Sequence, residues 1–208
     1  MSILERAAWV PDDDPQRGLD IRAGLAVQWV EERCVAEGAP ALLVLDQRGA
    51  EQELPSLARF ADRVTTPKAR STQVRGSDGP VLAFMPDAKS LDYATSLARR
   101  SSLAVVEAAS IFPLRGWAAV IGAVDLSRPD ASPKPLDERV SAAVQDLKLY
   151  GNNGYTNEWD RTNAGRVLGD LRQEGLLDKD LVLGAVAATD VVSPDGLKRL
   201  GRLIDGLS

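Results

Sequence analysis

Short unbroken runs of apolar residues recur through the first half of the chain. Residues 41–45, 81–85 and 103–106 are apolar at every position. A run of this length without alternating polar residues is typical of a strand buried on both faces, as in a parallel sheet. We therefore predict three buried strands at these positions. Residues 63–66, which are rich in β-branched side chains, add a shorter fourth strand.

Segments that favour helices separate these apolar runs. They are residues 19–36, 51–61, 91–100 and a stretch through 117–121. Strands and helices that alternate at these lengths form βαβ crossovers, which place helices on the faces of a parallel sheet. The predicted fold class is therefore α/β. We expect a small open, mainly parallel sheet flanked by helices in a Rossmann-like or flavodoxin-like layering.

The pattern changes after a Pro/Ser-rich stretch, beyond which every segment favours a helix. Four helices are predicted there, near residues 136–150, 157–171, 178–188 and 194–207. At the other end of the chain, three consecutive aspartates precede the first predicted helix and indicate a flexible arm. The predicted organisation is an arm (1–18), an α/β domain (19–126), a linker (127–135) and a helical module (136–208).

Composition narrows the classes of function. The chain has no histidine, one cysteine and a formal charge of −5. The missing histidine removes Ser-His and Cys-His nucleophile pairs and histidine-ligated zinc. The acidic balance disfavours nucleic acid and anionic membranes as partners. The longest apolar region, residues 103–126, is too interrupted to span a membrane, and residues 1–10 show no secretory signal, so we expect a cytoplasmic protein without a membrane partner.

Three acidic residues directly follow predicted strands: Asp46, Asp87 and Glu107. Ligands of open parallel sheets bind beyond the carboxyl ends of the strands, so these side chains are candidate ligand-binding residues. If they converge, they could hold Mg²⁺ against a phosphorylated substrate, because Mg²⁺ prefers oxygen ligands. The alternative is that they are ordinary acidic loop residues that cap helices.

The turn after the third buried strand contains Asp87, Lys89 and Ser90 and opens a helix. Backbone N–H groups at a helix N-terminus, together with Lys89, could receive a small anionic ligand. The alternative is simple capping of the helix by Asp87 or Ser90. Neither glycine-rich nucleotide fingerprint, G-x-G-x-x-G or G-x-x-x-x-G-K-[ST], occurs in the chain. We therefore expect no cofactor and no bound metal.

The loop at residues 151–160 has the most unusual local composition, with three asparagines, two glycines and two aromatic residues. One hypothesis is a recognition surface formed by Tyr155, Asn157 and Trp159, since aromatic and amide side chains are frequent at binding surfaces. The alternative is a tight, structurally specific turn, because Asn and Gly tolerate positive φ angles.

Two regions carry clusters of basic residues. The last two predicted helices resemble a helix-turn-helix, with Lys198, Arg199 and Arg202 on the second helix. However, residues 136–208 contain nine basic against twelve acidic residues, which argues against DNA binding. The loop at residues 67–79 carries Lys68, Arg70 and Arg75 and could order over an anionic ligand.

The function predicted from the sequence is a non-catalytic binding protein with a protein partner, or with a second copy of itself, docked on the helical module. A small anionic ligand at the strand ends is part of this prediction. Two alternatives stay open: a Mg²⁺-dependent enzyme acting on a phosphorylated substrate, and a DNA-associated regulator that uses the C-terminal hairpin. Nucleic acid is the less expected partner because of the charge.

Overall fold

Six parallel strands form one open sheet in the part of the chain that the computed structural model describes, residues 6–46, 49–67, 79–132 and 134–207. The strands are β1 (Arg6–Val10), β2 (Leu42–Val44), β3 (Val64–Thr65), β4 (Val81–Phe84), β5 (Ser102–Val106) and β6 (Val124–Asp125). Their order in the sheet is β3-β2-β4-β5-β1-β6. The predicted α/β fold class with a parallel sheet is confirmed.

Helices connect the strands and then make up the C-terminal part of the described chain. They are α1 (Leu19–Glu37), α2 (Ala50–Glu53), a 3₁₀ helix (Pro55–Arg63), α3 (Ala88–Leu97), α4 (Arg115–Ile121), α5 (Glu138–Tyr150), a 3₁₀ turn (Gly151–Asn153), α6 (Glu158–Gln173), α7 (Lys179–Ala187) and α8 (Pro194–Asp205). None of the helices within the described ranges is long and apolar enough to cross a membrane.

The chain divides into two compact units. One contains the sheet and lies within residues 2–112 and 123–133, and the other lies within residues 113–122 and 134–208. Helix α4 therefore belongs to the helical unit, although it lies between β5 and β6 in the chain. The sequence analysis groups α4 with the sheet, in the predicted domain 19–126.

The N-terminal strand β1 corrects one prediction from the sequence. A flexible arm over residues 1–18 is wrong for Arg6–Val10, because β1 lies in the sheet between β5 and β6. Ala8 is fully buried and pairs with Ala104 of β5 and Val124 of β6. The apolar stretch is only four residues long and is followed by a proline and three aspartates. So short a run beside polar residues does not by itself indicate a strand.

The core of the sheet unit explains the unbroken apolar runs. Every residue of β4 and β5 is buried. One face of the sheet packs against α1 and the 3₁₀ helix, where Val30 and Leu57 meet Leu43, Leu82 and Ala104. Strands covered on both faces have no position for a solvated side chain, which is why their sequences do not alternate.

The direction of the chain along the sheet reverses between β2 and β4. The connection after β2 leads outward to β3, whereas the connection after β4 leads the other way to β5. Parallel crossovers are almost always right-handed, so connections that leave in opposite directions pass over opposite faces. The carboxyl ends of β2 and β4 therefore form a topological switch point, and those of β5 and β1 form a second one, because their connections lead to β6 and back to β2. Open sheets of this class bind ligands at such points.

The helical unit is held by capped helix ends and close helix contacts. Side-chain oxygens of Asp137, Asn157, Asp178 and Ser193 accept backbone N–H groups at the starts of α5, α6, α7 and α8. The helix starts predicted near residues 157 and 194 are confirmed. These caps fix where each helix begins and hence where the connecting loops lie.

Candidate functional site

The pairing between β2 and β4 stops near their carboxyl ends, and we call the space beyond these two strand ends the crevice. Their mutual register ends at Val44 and Ala83. Beyond it, the Leu45 N–H donates to a carbonyl of β3 at 3.1 Å, and the Met85 N–H donates to a carbonyl of β5 at 2.9 Å. Successive residues of a parallel strand bond to alternate neighbours, so these two bonds to the outer strands continue the ladders, and the crevice is the position beyond the last β2–β4 pair.

Helix α3 begins at this crevice, directly after β4. Asp87 is its N-cap, and the Asp87 carboxylate accepts the Ser90 N–H at 2.7 Å. Met85, just before the cap, has a φ of 48°, a left-handed conformation that non-glycine residues seldom adopt. Of the two sequence hypotheses for this turn, helix capping describes what Asp87 does. The Lys89 side chain is exposed beside it.

The Ser90 hydroxyl is the unusual group at the crevice. Ser90 is completely buried, and its Oγ has no hydrogen-bond partner among the described residues. Ser90 lies in the first turn of α3, at the end that follows β4, and the Cα–Cβ bond of a helical residue is tilted toward the helix N-terminus. A buried hydroxyl without a partner costs about 1–3 kcal/mol, so a structure keeps one only rarely.

Tyr93 and Thr65 form a second polar contact next to the crevice. Their hydroxyl groups are 3.1 Å apart. Thr65 ends β3 and pairs with Val44 of β2, whereas Tyr93 belongs to α3, which packs on β4. The Tyr93 side chain therefore extends across the end of β2 at the level where β2 and β4 separate.

Asp46 follows β2 by two residues and is half-buried. It lies at the same edge of the sheet as Asp87, which follows β4. Adjacent strands are about 4.8 Å apart, so these two residues follow neighbouring strands on either side of the crevice. The structure thus brings Asp46, Asp87, Lys89 and Ser90 to one edge of the sheet, and adds Tyr93, which the sequence analysis did not identify.

Glu107 belongs to a different cluster, where the ends of β1 and β5 meet. Its Oε2 accepts the Asp12 N–H at 3.0 Å, and its backbone carbonyl accepts Arg22 Nη1, also at 3.0 Å. Arg22, which is buried, also donates to Asp12 Oδ1 at 2.6 Å. The sequence analysis did not identify Asp12 and Arg22, because it did not predict the strand that places them there.

A Mg²⁺ site made by Asp46, Asp87 and Glu107 would need their three carboxylates to converge. Asp46 and Asp87 flank the β2/β4 crevice, whereas Glu107 is bonded to the loop after β1. Within the described residues, no three or more acidic, cysteine or histidine side chains form a group that could hold a metal ion. The geometry that the Mg²⁺-dependent alternative requires is not present there.

Comparison with known proteins adds no assignment. No family model, curated protein or solved structure matches this chain. Its function is therefore inferred from the residues of the site.

In the loop at residues 151–160, two of the three predicted recognition residues have structural contacts. Tyr155 is fully buried, and its hydroxyl donates to the Leu147 carbonyl at 2.7 Å. Burial, together with the nearby charge of Asp160, raises the pKa of Tyr155. Asn157 caps α6 by accepting the Asp160 N–H at 2.8 Å. Both side chains hold the turn in place.

Trp159 is the exception in this loop, because 65% of its surface is exposed. Its ring meets Tyr150 edge to face, with ring centroids 5.4 Å apart. An exposed tryptophan that is oriented by a neighbouring aromatic ring is a feature of many interaction surfaces. The recognition hypothesis therefore depends on Trp159 rather than on Tyr155 or Asn157.

The two basic regions differ in what the structure describes. In α8, Arg199 donates to the Gly154 carbonyl at 2.9 Å, and Lys198 lies 3.7 Å from Asp195. Arg202 is exposed. Arg199 thus contributes to holding the helical unit together. Lys68, Arg70 and Arg75 of the predicted basic loop lie outside the described residues.

Proposed function

We propose that this chain is a non-catalytic binding protein that holds a small polar ligand between the carboxyl ends of β2 and β4. The observation that carries the proposal is the Ser90 hydroxyl, which is fully buried without a partner among the described residues at the β2/β4 switch point of the sheet. A ligand that hydrogen-bonds to this hydroxyl would remove the cost of leaving it unpaired. The location agrees with the general position of ligands in open parallel sheets.

Two features support binding rather than catalysis. The chain contains no histidine, so the commonest general base is missing. The acidic side chains at the crevice come from Asp46 and Asp87, and Glu107 is bonded elsewhere, which weakens the Mg²⁺-dependent alternative. The DNA-associated alternative stays a prediction that the acidic balance of residues 136–208 disfavours.

A protein partner on the helical unit is the second candidate, and the observation that favours it is the exposure of Trp159. It is compatible with the first candidate, because a ligand in the sheet unit and a partner on the helical unit would use different residues. The cytoplasmic location stays a prediction of the sequence.

Replacement of Ser90 by alanine tests the ligand proposal. Without ligand, S90A is expected to melt at the same temperature as the wild type or higher, because it removes an unpaired buried hydroxyl. With a ligand, S90A is expected to lose most of the thermal shift that the wild type shows. A ligand at one hundred times its Kd stabilises by roughly 2.7 kcal/mol, which is readily measured. The screen covers polyols, amines and phosphorylated compounds.

Ser96, an exposed serine of the same helix, provides the matched control. S96A is expected to leave the ligand-induced shift unchanged. The proposal is wrong if S90A lowers the melting temperature of the unliganded protein by several degrees, since Ser90 would then have a structural partner. It is also wrong if every observed thermal shift is the same in S90A as in the wild type.

A further inference from the structure

The charges at the crevice disfavour an anionic ligand. The start of α3 would attract an anion, but the Asp87 carboxylate already accepts the Ser90 N–H there, at 2.7 Å. Asp46 adds a second carboxylate from the other strand. Among the residues described at these two strand ends, a phosphate would face the carboxylates of Asp46 and Asp87, with the exposed cation Lys89 in partial compensation.

A ligand that both donates and accepts would use every hydrogen-bonding group named at the crevice. The carboxylates of Asp46 and Asp87 only accept hydrogen bonds, whereas the buried Ser90 hydroxyl has a proton to donate and lone pairs to fill. A fully ionised phosphate has no proton to donate to the carboxylates, and an ammonium group could donate to the carboxylates and to a Ser90 lone pair but would leave the Ser90 proton unused. A compound with neighbouring hydroxyl groups satisfies both requirements, because each hydroxyl is a donor and an acceptor.

We infer that the crevice binds a neutral polyol, meaning a compound with adjacent hydroxyl groups such as a free sugar or the ribose of a nucleoside. This inference rests on the proposed function and specifies its ligand class. One hydroxyl would donate to Asp46 or Asp87, and a neighbouring one would accept from Ser90. Tyr93, whose hydroxyl meets Thr65 at 3.1 Å, would provide an aromatic wall beside the apolar face of the sugar.

The test compares matched neutral and charged probes on the full chain. Ribose, inositol and adenosine are titrated against ribose 5-phosphate, inorganic phosphate and ethanolamine, with binding followed by calorimetry. At least one neutral polyol is expected to bind at least about tenfold more tightly than every charged probe. Its affinity is expected to stay within about twofold between 0.05 and 0.5 M salt, because screening does not act on an uncharged ligand.

Two variants locate the binding. S90A is expected to weaken the polyol about tenfold, the effect of one lost hydrogen bond to a buried group. D87N retains an N-cap acceptor and the helix start, since asparagine caps as well as aspartate, but it removes one negative charge. In D87N, the ratio of the affinity for the polyol to the affinity for ribose 5-phosphate is expected to fall about tenfold. The matched control is D62N, which removes an exposed carboxylate of the 3₁₀ helix and is expected to change neither affinity.

The outcomes separate this inference from the proposed function. Binding of phosphate, ribose 5-phosphate or ethanolamine in preference to every polyol, with loss in S90A, overturns the polyol inference and leaves the binding site in place. If a polyol binds and S90A does not weaken its binding, both the polyol inference and the proposed function are overturned. The absence of binding by all probes at millimolar concentration also overturns both, because the panel spans the donor and acceptor chemistry that Ser90 could meet.

Discussion

At the scale of single residues, Tyr155 shows how a side chain can look like a recognition residue and serve the core. It lies in a loop rich in Asn and Gly, it adopts a φ of 56°, and it is fully buried. Its hydroxyl bonds to the Leu147 carbonyl at the end of α5. The strained backbone is retained because this hydrogen bond and the burial of a large ring fix the turn.

The buried Tyr155 predicts a loss of stability at high pH. Burial and Asp160 raise its pKa above the value near 10 of an unfolded chain, so the folded state keeps the proton longer. Stability is then fully present below about pH 10 and falls by roughly 1 kcal/mol per pH unit above it, until the folded group ionises. Urea unfolding at a series of pH values, for wild type and Y155F, measures this decline.

Y155F is expected to show a smaller decline above pH 10 and a loss of about 1 kcal/mol at pH 7, because the Leu147 carbonyl loses one of its two donors and keeps the Gly151 N–H. Y150F is the control, since Tyr150 is only half-buried. Equal slopes in wild type and Y155F would contradict the assignment of the alkaline loss to Tyr155.

Some residues of the candidate site follow from the sequence and others do not. Asp46, Asp87 and Ser90 are identified because the carboxyl ends of buried strands can be read from the apolar pattern. Tyr93 is not, since its contact with Thr65 depends on β3 and β4 both flanking β2. Strand order is set by long-range pairing, which one sequence does not display.

At the scale of elements, the contact between α4 and α7 depends on two glycines. A Cβ at Gly116 would overlap the Leu181 carbonyl oxygen and lie 2.5 Å from Ala185 N. A Cβ at Gly184 would lie 2.8 Å from the Pro113 carbonyl oxygen. The two helices therefore touch through their backbones, and any side chain at these positions forces them apart.

G116A is predicted to destabilise the protein by about 3 kcal/mol, because the methyl group meets backbone atoms that cannot move independently. Gly165 in α6 is the matched control, since a Cβ there has no neighbour within 4 Å. G165A is expected to stabilise by up to about 1 kcal/mol, the gain from a better helix former. Urea unfolding measures the stability of both variants. A G116A protein as stable as the wild type would show that α4 and α7 lie further apart than a backbone contact at Gly116 requires.

Elements with long, uniform patterns are the ones that the sequence predicts well. Helix α1 is predicted at 19–36 and found at Leu19–Glu37, and the runs for β2, β4 and β5 all become strands. The predicted helix at residues 51–61 becomes α2 and a 3₁₀ helix. Strand β1 is missed because its short apolar stretch has no local signal strong enough to outweigh Pro11 and the aspartates after it.

At the scale of the whole molecule, sequence-distant segments complete each unit. Strand β1 pairs with β5 and β6, and α4 joins the helical unit although β6 follows it in the chain. The composition predicts two contiguous domains with a boundary at residues 127–135, because this stretch is rich in proline and serine. Composition cannot show that α4 has its packing partner, α7, on the far side of that stretch.

The position of β1 in the sheet predicts a large effect for A8D. Ala8 is fully buried between two neighbouring strands, so an aspartate there would bury a charge without a partner. A loss of more than about 3 kcal/mol is expected, measured by urea unfolding. R6D, at the exposed start of the same strand, is expected to change stability by about 0.5 kcal/mol or less. A mild effect of A8D would support the arm that the sequence predicts.

The place of β1 also sets an order of events during synthesis. A ribosome makes Arg6–Val10 before the other strands of the described sheet, and its partner β5 follows roughly a hundred residues later, a delay of about 5–20 s at ordinary elongation rates. During that time the nascent chain carries an apolar segment with no strand beside it. β2, β3 and β4 can pair in the meantime, so the switch-point crevice takes shape first. The strand made first is then added to the sheet near the end.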